Sequence, residues 1–194
     1  DMAVESGCTL LYYTALVDVV REGDTVTHVI VSNKDGLTAY AAKCFVDGTG
    51  DADLAKAAGV PYESGNHNRV NQPVSLRFEM AGIDFDRFHA SMRSLGNNAH
   101  KYFAMNTAGM KEVLQKAHDD GVLTGQDICY FQAFGIPGRP DAMNFNCPEL
   151  ATKVDVVDPA FMTQKQIEGK KAILRLRTFL RRYVPGFDNA YITE

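Results

Sequence analysis

The sequence predicts an α+β protein, in which an antiparallel β meander ends in a glycine-rich strand-to-helix corner and a mixed sheet and helix region follows. Three observations support this class. Three apolar, β-rich runs separated by short turn formers fill the first fifty residues, and a Gly-x-Gly segment joins the last run to a helix-forming segment. In the remaining chain, β runs are interspersed with amphipathic helical segments, and no internal repeat is present.

The meander is predicted from strands at residues 9–21, 25–32 and 38–47. The segments EGD and NKDG separate these strands, and each contains a glycine that can adopt the positive φ of a tight turn. The third strand ends at Asp47-Gly48-Thr49-Gly50-Asp51, and residues 52–58 have good helix propensity. Gly59 stands where a C-cap glycine is expected.

The second part of the chain is predicted to contain strands and helices in mixed order. A strand at 73–80 precedes a helix to about residue 94 with Asp84 as its N-cap, and a second helix starts at residue 106 or 107 and ends at Gly121. Strands at 128–135 and 142–145 are joined by IPGRPD. An amphipathic helix at 163–183 ends at Pro185-Gly186.

Composition and charge exclude several classes of protein. With 194 residues, 45% hydrophobic residues and a net charge of −4, the chain is an ordinary globular sequence. It contains neither an apolar run of about 20 residues nor a signal-peptide core, so we expect a cytoplasmic protein with no membrane partner. Residues 163–194 carry 7 Lys+Arg against 3 Asp+Glu, which we interpret as the solvated face of a helix. Because the chain is acidic overall, we expect no nucleic-acid partner.

The cysteines and acidic residues predict no metal site. The four cysteines form no CxxC pair, and we expect Cys8, Cys44 and Cys129 to be buried free thiols in a reducing compartment. The acidic run at the corner does not fit a calcium-binding EF-hand loop, because that pattern requires Gly where Ala52 stands and Glu where Ala58 stands.

The glycine corner is the strongest candidate for a binding site. Gly48 and Gly50 have no Cβ, so a ligand can approach the backbone closely. Asp47, Asp51 and Asp53 would repel a phosphate at the helix start, so sugar hydroxyls, or a diphosphate held mainly by another segment, fit better. The alternative is a plain tight turn in which Asp51 caps the helix.

The run VDGTGDADLAKAAGVPYESG resembles the signature of the FAD-dependent oxidoreductases related to glutathione reductase and fumarate reductase. The strands around TALVDVV, the stretch QPVSLRFEMAGID and the end IEGKKAILRLRTFLRRYVPGFDNAYI resemble further segments of that family. The match extends over nearly the whole chain. The family's GxGxxG segment and its C-terminal flavin-binding part are not found in the sequence, so the chain resembles the middle portion of such an enzyme.

The resemblance implies three regions and a set of cofactor contacts. Residues 1–65 would be a partial FAD-binding region, residues 66–162 a substrate-type α+β domain, and residues 163–194 a long helix and PGF corner that return toward the FAD-binding region. The implied FAD contacts are Ala15, Leu16, Gly48, Thr49, Gly50 and Asp51. Because the diphosphate-binding GxGxxG segment is absent, we expect the isolated chain to bind FAD weakly or not at all and to be inactive.

A small-molecule substrate is also implied, and five polar residues are candidates for orienting a carboxylate or another polar group. These candidates are His67, Arg69, Arg139, Asn144 and Asn146. No catalytic acid or base is predicted. The competing hypothesis is a non-catalytic α+β binding or interaction module. We further expect a homodimer formed through apolar surface that other parts of a longer protein would cover.

Overall fold

The computed structural model describes residues 2–68, 70–94, 105–150 and 156–194, and it confirms the α+β class. The chain divides into two compact units, residues 1–63 and 64–194. The elements in chain order are α1 (Met2–Glu5), β1 (Ala15–Glu22), β2 (Thr25–Asn33), β3 (Gly36–Ala41), α2 (Asp53–Ala57), β4 (Val74–Ser75), β5 (Phe78–Ala81), α3 (Phe85–Ser94), β6 (Met105–Asn106), α4 (Lys111–Asp119), β7 (Gln132–Ile136), β8 (Arg139–Phe145), β9 (Glu149–Leu150), α5 (Pro159–Tyr183) and β10 (Tyr191–Ile192).

The first unit contains the predicted meander. Strands β1, β2 and β3 form an antiparallel sheet in that order, and Gly23 and Gly36 adopt the positive φ that the two connecting turns require. The first strand begins at Ala15 and not at residue 9. Tyr13 has a φ of 53°, which interrupts the extended backbone just before the strand.

The first unit buries little of its apolar surface. None of its described residues, 2–63, is fully buried, and every residue of β3 is exposed. Large apolar side chains are among the exposed ones, with Tyr13 99% and Val46 92% exposed. A three-stranded sheet without a buried face has little hydrophobic stabilisation of its own. Association of two copies through this surface stays a prediction.

The second unit is built on a five-stranded antiparallel sheet with the order β10-β5-β8-β7-β6. A separate two-stranded ribbon pairs β4 with β9. The single strand predicted at 73–80 is therefore wrong. It is divided into β4 and β5, which pair with different partners and belong to different sheets.

The core of the second unit lies between one face of the five-stranded sheet and the helices α3, α4 and α5. Phe78 and Phe145 stack across β5 and β8 with ring centroids 4.6 Å apart, and Phe131 meets Phe179 of α5 edge to face. Each helix contributes fully buried side chains to the same cluster, namely Phe88, Met92, Leu114, Ala117, Leu176 and Leu180.

Local signals set the helix ends. The Asp84 carboxylate accepts a hydrogen bond from the Arg87 backbone N–H at 3.1 Å, which confirms it as the cap of α3. Helix α4 starts at Lys111 and not at 106 or 107, because residues 105–106 pair with β7. Helix α5 starts at Pro159 and not at 163, because Asp158 caps it by accepting from the Ala160 N–H at 2.9 Å.

The prediction of three buried cysteines is wrong. Cys8, Cys44 and Cys129 are exposed, and Cys147 is buried. Cys8 and Cys44 lie outside the meander strands, and Cys129 lies before β7, where its thiol donates to the Gly125 carbonyl. Burial raises the pKa of the Cys147 thiol to about 12.

Among the helices in the described part of the chain, none combines the length and apolar character needed to cross a bilayer.

Candidate functional site

The glycine corner is organised by the carboxylate of Asp47. Its Oδ1 accepts hydrogen bonds from the Thr49 backbone N–H at 2.9 Å and from the Thr49 hydroxyl at 2.6 Å. Its Oδ2 accepts from the Ala55 N–H at 2.9 Å, inside α2. The hydrogen bond from the Thr49 hydroxyl, followed by those from Ala55 and the Thr49 N–H, holds the pKa of Asp47 below its ordinary value. Asp47 therefore ties the corner to the helix as a carboxylate.

Thr49, and not Asp51, supports the start of the helix. The Thr49 hydroxyl oxygen accepts from the Asp53 N–H at 2.8 Å, whereas Asp51 is exposed and Ala52 at the N-cap makes no side-chain cap. The interpretation of Asp51 as the helix cap is thus corrected. Ala52 has a φ of 57°, a left-handed conformation that costs a non-glycine residue about 1 kcal/mol or more. The hydrogen bonds of Asp47 and Thr49 on both sides hold this backbone in place.

The backbone at Gly48 and Gly50 is open to a ligand. A Cβ added at either position would meet no atom within 4 Å of the described structure, so these glycines leave space where any other side chain would project. Neither glycine has a positive φ, so backbone conformation does not demand glycine there. The open approach fits a ligand that lies against the main chain.

An apolar cavity of about 380 Å³ lies beside the corner, within the first unit. The meander contributes Leu16, Val29, Val31 and Tyr40 to its walls, and the corner contributes Asp47 and Thr49. Of the residues expected to contact FAD, Leu16 and Thr49 line this cavity. Ala15 pairs with Ser32 at the start of β1.

The second unit carries a polar sheet face opposite its core. Glu79 of β5, Asn144 of β8 and Phe134 of β7 form one row, because Glu79 and Phe134 are both register partners of Asn144. Thr193, the residue after β10, continues this row, because its N–H donates to the Glu79 carbonyl. Directly opposed residues point to the same face of a sheet. The adjacent row of Phe78, Phe145 and Ala133 points to the core.

Three polar side chains, from Gln132 of β7, Tyr130 before β7 and Asn146 after β8, extend this face. The Tyr130 hydroxyl donates to Gln132 Oε1 at 2.6 Å, and Asn146 Nδ2 donates to the Tyr130 hydroxyl at 3.1 Å and to Gln132 Oε1 at 3.3 Å. The Asn146 N–H also donates to the Gln132 carbonyl, which continues the ladder beyond β8. The structure thus brings the predicted residues Asn144 and Asn146 together on one face, with Tyr130 and Gln132 beside Asn146.

The predicted residue Arg139 is paired with an acidic neighbour on the same sheet. Its guanidinium donates to Glu79 Oε1, and the Thr193 hydroxyl donates to the same oxygen at 2.6 Å. The hydrogen bond from Thr193 lowers the pKa of Glu79, whereas burial raises it. Together with the hydrogen bond and charge of Arg139, the Thr193 contact holds this pKa below its ordinary value. Glu79 is therefore ionised, and the charges of Arg139 and Glu79 compensate each other.

The other two predicted substrate residues lie elsewhere in the chain. His67 is in an exposed turn, where its ring Nε2 lies 3.1 Å from Nδ2 of Asn68, and Asn66 Oδ1 accepts from the N–H groups of Asn68 and Val70. Arg69 lies outside the described residues. Within the described residues there is no group of three or more His, Cys, Asp and Glu that could hold a metal ion.

Sequence reasoning missed Asp47 as the organiser of the corner and Tyr130 and Gln132 on the sheet face. The spacing Asp47-x-Thr49 is a signal for the first, because an Asp side chain often accepts from the backbone two residues later. Tyr130 and Gln132 alternate with the buried Phe131 and Ala133. This alternation, typical of a strand with one buried face, is the sequence signal that could have placed Tyr130 and Gln132 on the polar face.

Comparison with known proteins supplies the family. The sequence model of the FAD dependent oxidoreductase family matches residues 1–194, the whole chain. No curated protein and no solved structure matches the chain. Because this match covers both units, the chain belongs to the FAD-dependent oxidoreductase family.

Proposed function

We propose that this chain takes part in flavin-dependent oxidation or reduction of a small molecule, with the first unit lining FAD and the second unit binding the substrate. Family membership over the whole chain supports the chemistry. The open backbone at Gly48 and Gly50 is the observation that carries the cofactor assignment, since a ligand can lie where a Cβ would stand. FAD, when bound, supplies the redox chemistry, and the protein supplies binding and orientation.

In this proposal the chain's own residues hold the cofactor by shape and not by charge. Gly48, Thr49 and Gly50 present main chain to the ligand, and the apolar walls of the adjacent cavity cover one part of it. Asp47 keeps the corner rigid through Thr49 and Ala55. Ala15, Leu16 and Asp51 remain proposed contacts.

Substrate binding is assigned in the proposal to the polar sheet face. Asn144 and Asn146 supply amide groups there, and Arg139 lies against Glu79 at the same sheet. His67 and Arg69 remain proposed contacts from the preceding loop. The identity of the catalytic acid or base is not assigned to any residue.

The cofactor assignment is tested by titrating FAD into the purified chain and following the quenching of flavin fluorescence. We expect weak, saturable binding, because the 194 residues contain no GxGxxG segment for the diphosphate. Gly48→Val should abolish it, and Gly125→Val is the matched control, since a Cβ at either position meets no atom within 4 Å. Equal binding by both variants would contradict the assignment and favour a non-catalytic module.

A further inference from the structure

We propose that β3 pairs edge to edge with β3 of a second copy of this chain, so that the two meanders join into one continuous antiparallel sheet. The strands of the first unit are ordered β1-β2-β3, and within the described residues no further strand pairs with the outer edge of β3. Every residue of β3 is exposed. An uncovered edge presents a row of N–H and C=O groups to which another strand can bind. This association is independent of the flavin chemistry proposed above.

The two edges of this sheet differ in how they are protected. Strand β1 carries Asp18, Arg21 and Glu22, and its register with β2 is irregular between Leu16 and Asp18 and again between Val20 and Arg21. Charged residues and bulges keep an edge strand from pairing with another chain. Strand β3, with the sequence GLTAYA, has no charged residue and no proline, and its register with β2 is regular throughout. The sheet is therefore protected against pairing at the β1 edge and open to it at the β3 edge.

The free hydrogen-bonding groups of this edge belong to Leu37, Ala39 and Ala41. Asn33 and Gly36 flank a two-residue turn and are register partners, so they form the hydrogen-bonded pair that closes the hairpin. Hydrogen-bonded and non-hydrogen-bonded pairs alternate along an antiparallel ladder. Every second residue after Gly36, starting with Leu37, therefore directs its N–H and C=O away from β2 and toward the open edge.

A two-fold axis at Ala39 gives the pairing that uses all of these groups. In this register Ala39 lies opposite Ala39 of the second copy, and Leu37 lies opposite Ala41, so each outward residue exchanges both of its hydrogen bonds with a partner. A shift by two residues would leave an outward residue of each strand without a partner. The exposed Leu37 side chain then lies beside the small side chain of Ala41, which leaves room for it.

The remaining residues of the edge are also compatible with a second copy. Thr38 lies opposite Tyr40 in this register, and both are uncharged residues of high strand propensity. Beyond the strand, the same register brings Asp35 of the turn opposite Lys43 of the second copy. Both are exposed, and neither forms an ion pair within the described residues. Because the axis repeats this contact, opposite charges meet at both ends of the paired strands, and the edge complements itself.

Sedimentation velocity of the 194-residue chain over a range of concentrations tests the association. We expect a reversible equilibrium between monomer and dimer. Ala39→Lys places like charges opposite each other at the axis, and Ala39→Asp does the same, so each variant alone should dimerise about tenfold or more weakly than the wild type. An equimolar mixture of the two variants should regain the association, because the opposed charges then attract. Val17→Lys, at the irregular part of the β1 edge, is the matched control and should dimerise as the wild type does.

A wild type that stays monomeric at every concentration, undiminished dimerisation of Ala39→Lys, or an equal loss in Val17→Lys would overturn the inference. Amide hydrogen exchange of the wild type, followed by NMR, gives a second readout that needs no variant. The N–H groups of Leu37, Ala39 and Ala41 should exchange more slowly at high protein concentration than at low concentration. Exchange at these residues that does not depend on concentration would also overturn the inference.

Discussion

Arg175 of α5 and Asp127 of the turn before β7 form a bidentate ion pair, with Nε donating to Oδ2 at 2.7 Å and Nη2 to Oδ1 at 2.8 Å. The Asp127 side chain is 1% exposed, and its Oδ2 also accepts from the N–H and the hydroxyl of Thr124. The pair therefore joins the long helix to a turn that leads into the central sheet, and it does so with a fully hydrogen-bonded carboxylate.

Replacing Arg175 by Leu should destabilise the second unit by about 3 kcal/mol, because it leaves a buried carboxylate without its counter-charge. The free energy of unfolding, measured by urea denaturation, tests this. Lys116→Ala is the control, since its pair with Asp120 is exposed on α4 and should contribute less than about 1 kcal/mol. Equal losses of unfolding free energy in the two variants would show that the Arg175–Asp127 pair stabilises the protein no more than an exposed ion pair does.

Acid should weaken the folded state partly through Asp127. Burial alone would raise the pKa of this carboxyl, but hydrogen bonds from Arg175 and Thr124 outweigh it and lower the pKa below its ordinary value. A carboxyl with a depressed folded pKa contributes stability above its unfolded pKa, about 3.9, and that contribution is lost as the pH falls through the folded pKa. The unfolding free energy of the wild type should therefore fall more steeply below about pH 4 than that of Asp127→Asn. If the unfolding free energies of the wild type and Asp127→Asn fell in parallel with pH, this role of Asp127 would be contradicted.

Gly186 should tolerate no side chain. It has a φ of +97°, and a Cβ there would lie 2.5 Å from the Asp84 carbonyl oxygen and 2.9 Å from Phe88 Cβ at the start of α3. We expect Gly186→Ala to cost about 2 kcal/mol or more, measured as the free energy of unfolding. Gly125→Ala, which meets no atom within 4 Å, should stay within about 0.5 kcal/mol of the wild type. A neutral Gly186→Ala would mean that the PGF corner is not packed against α3.

The thiols should divide into two classes. Three cysteines are exposed and Cys147 is buried with a pKa raised to about 12, so a thiol-specific reagent should titrate three groups in the native protein and four after unfolding. The Cys147→Ser variant should show the same three native thiols. Four rapidly reacting thiols in the native wild type would contradict the burial of Cys147.

Elements with strong local signals could be predicted from the sequence, and their pairing could not. The turns at Gly23 and Gly36 and the cap at Asp84 act within a few residues, so the meander and α3 were found. The break at Tyr13 carries no local signal, because tyrosine is an ordinary strand residue. The division of 73–80 into β4 and β5 depends on two partners far along the chain, β9 and β8, which a single run cannot reveal.

In the candidate site, too, local features could be predicted from the sequence, whereas contacts between distant residues could not. Gly48 and Gly50 could be recognised as openings in the backbone from the sequence, since glycine is the signal. The role of Asp47 depends on where the Ala55 N–H lies eight residues later, and the ion pair of Arg139 with Glu79 links positions sixty residues apart. The common face of Asn144, Phe134 and Glu79 requires the register of three strands, which includes an irregularity between Gly135 and Ile136.

The assignment of FAD to the glycine corner is best tested by locating where FAD contacts the chain. Titrating FAD into isotope-labelled protein and following backbone amide shifts by NMR reports on the residues other than proline, even when binding is weak. We predict shifts concentrated at Gly48, Thr49 and Gly50 and at the cavity-lining residue Leu16, and their loss in Gly48→Val. Shifts that leave residues 47–51 unchanged while appearing elsewhere in the chain would contradict the assignment of the glycine corner to the cofactor.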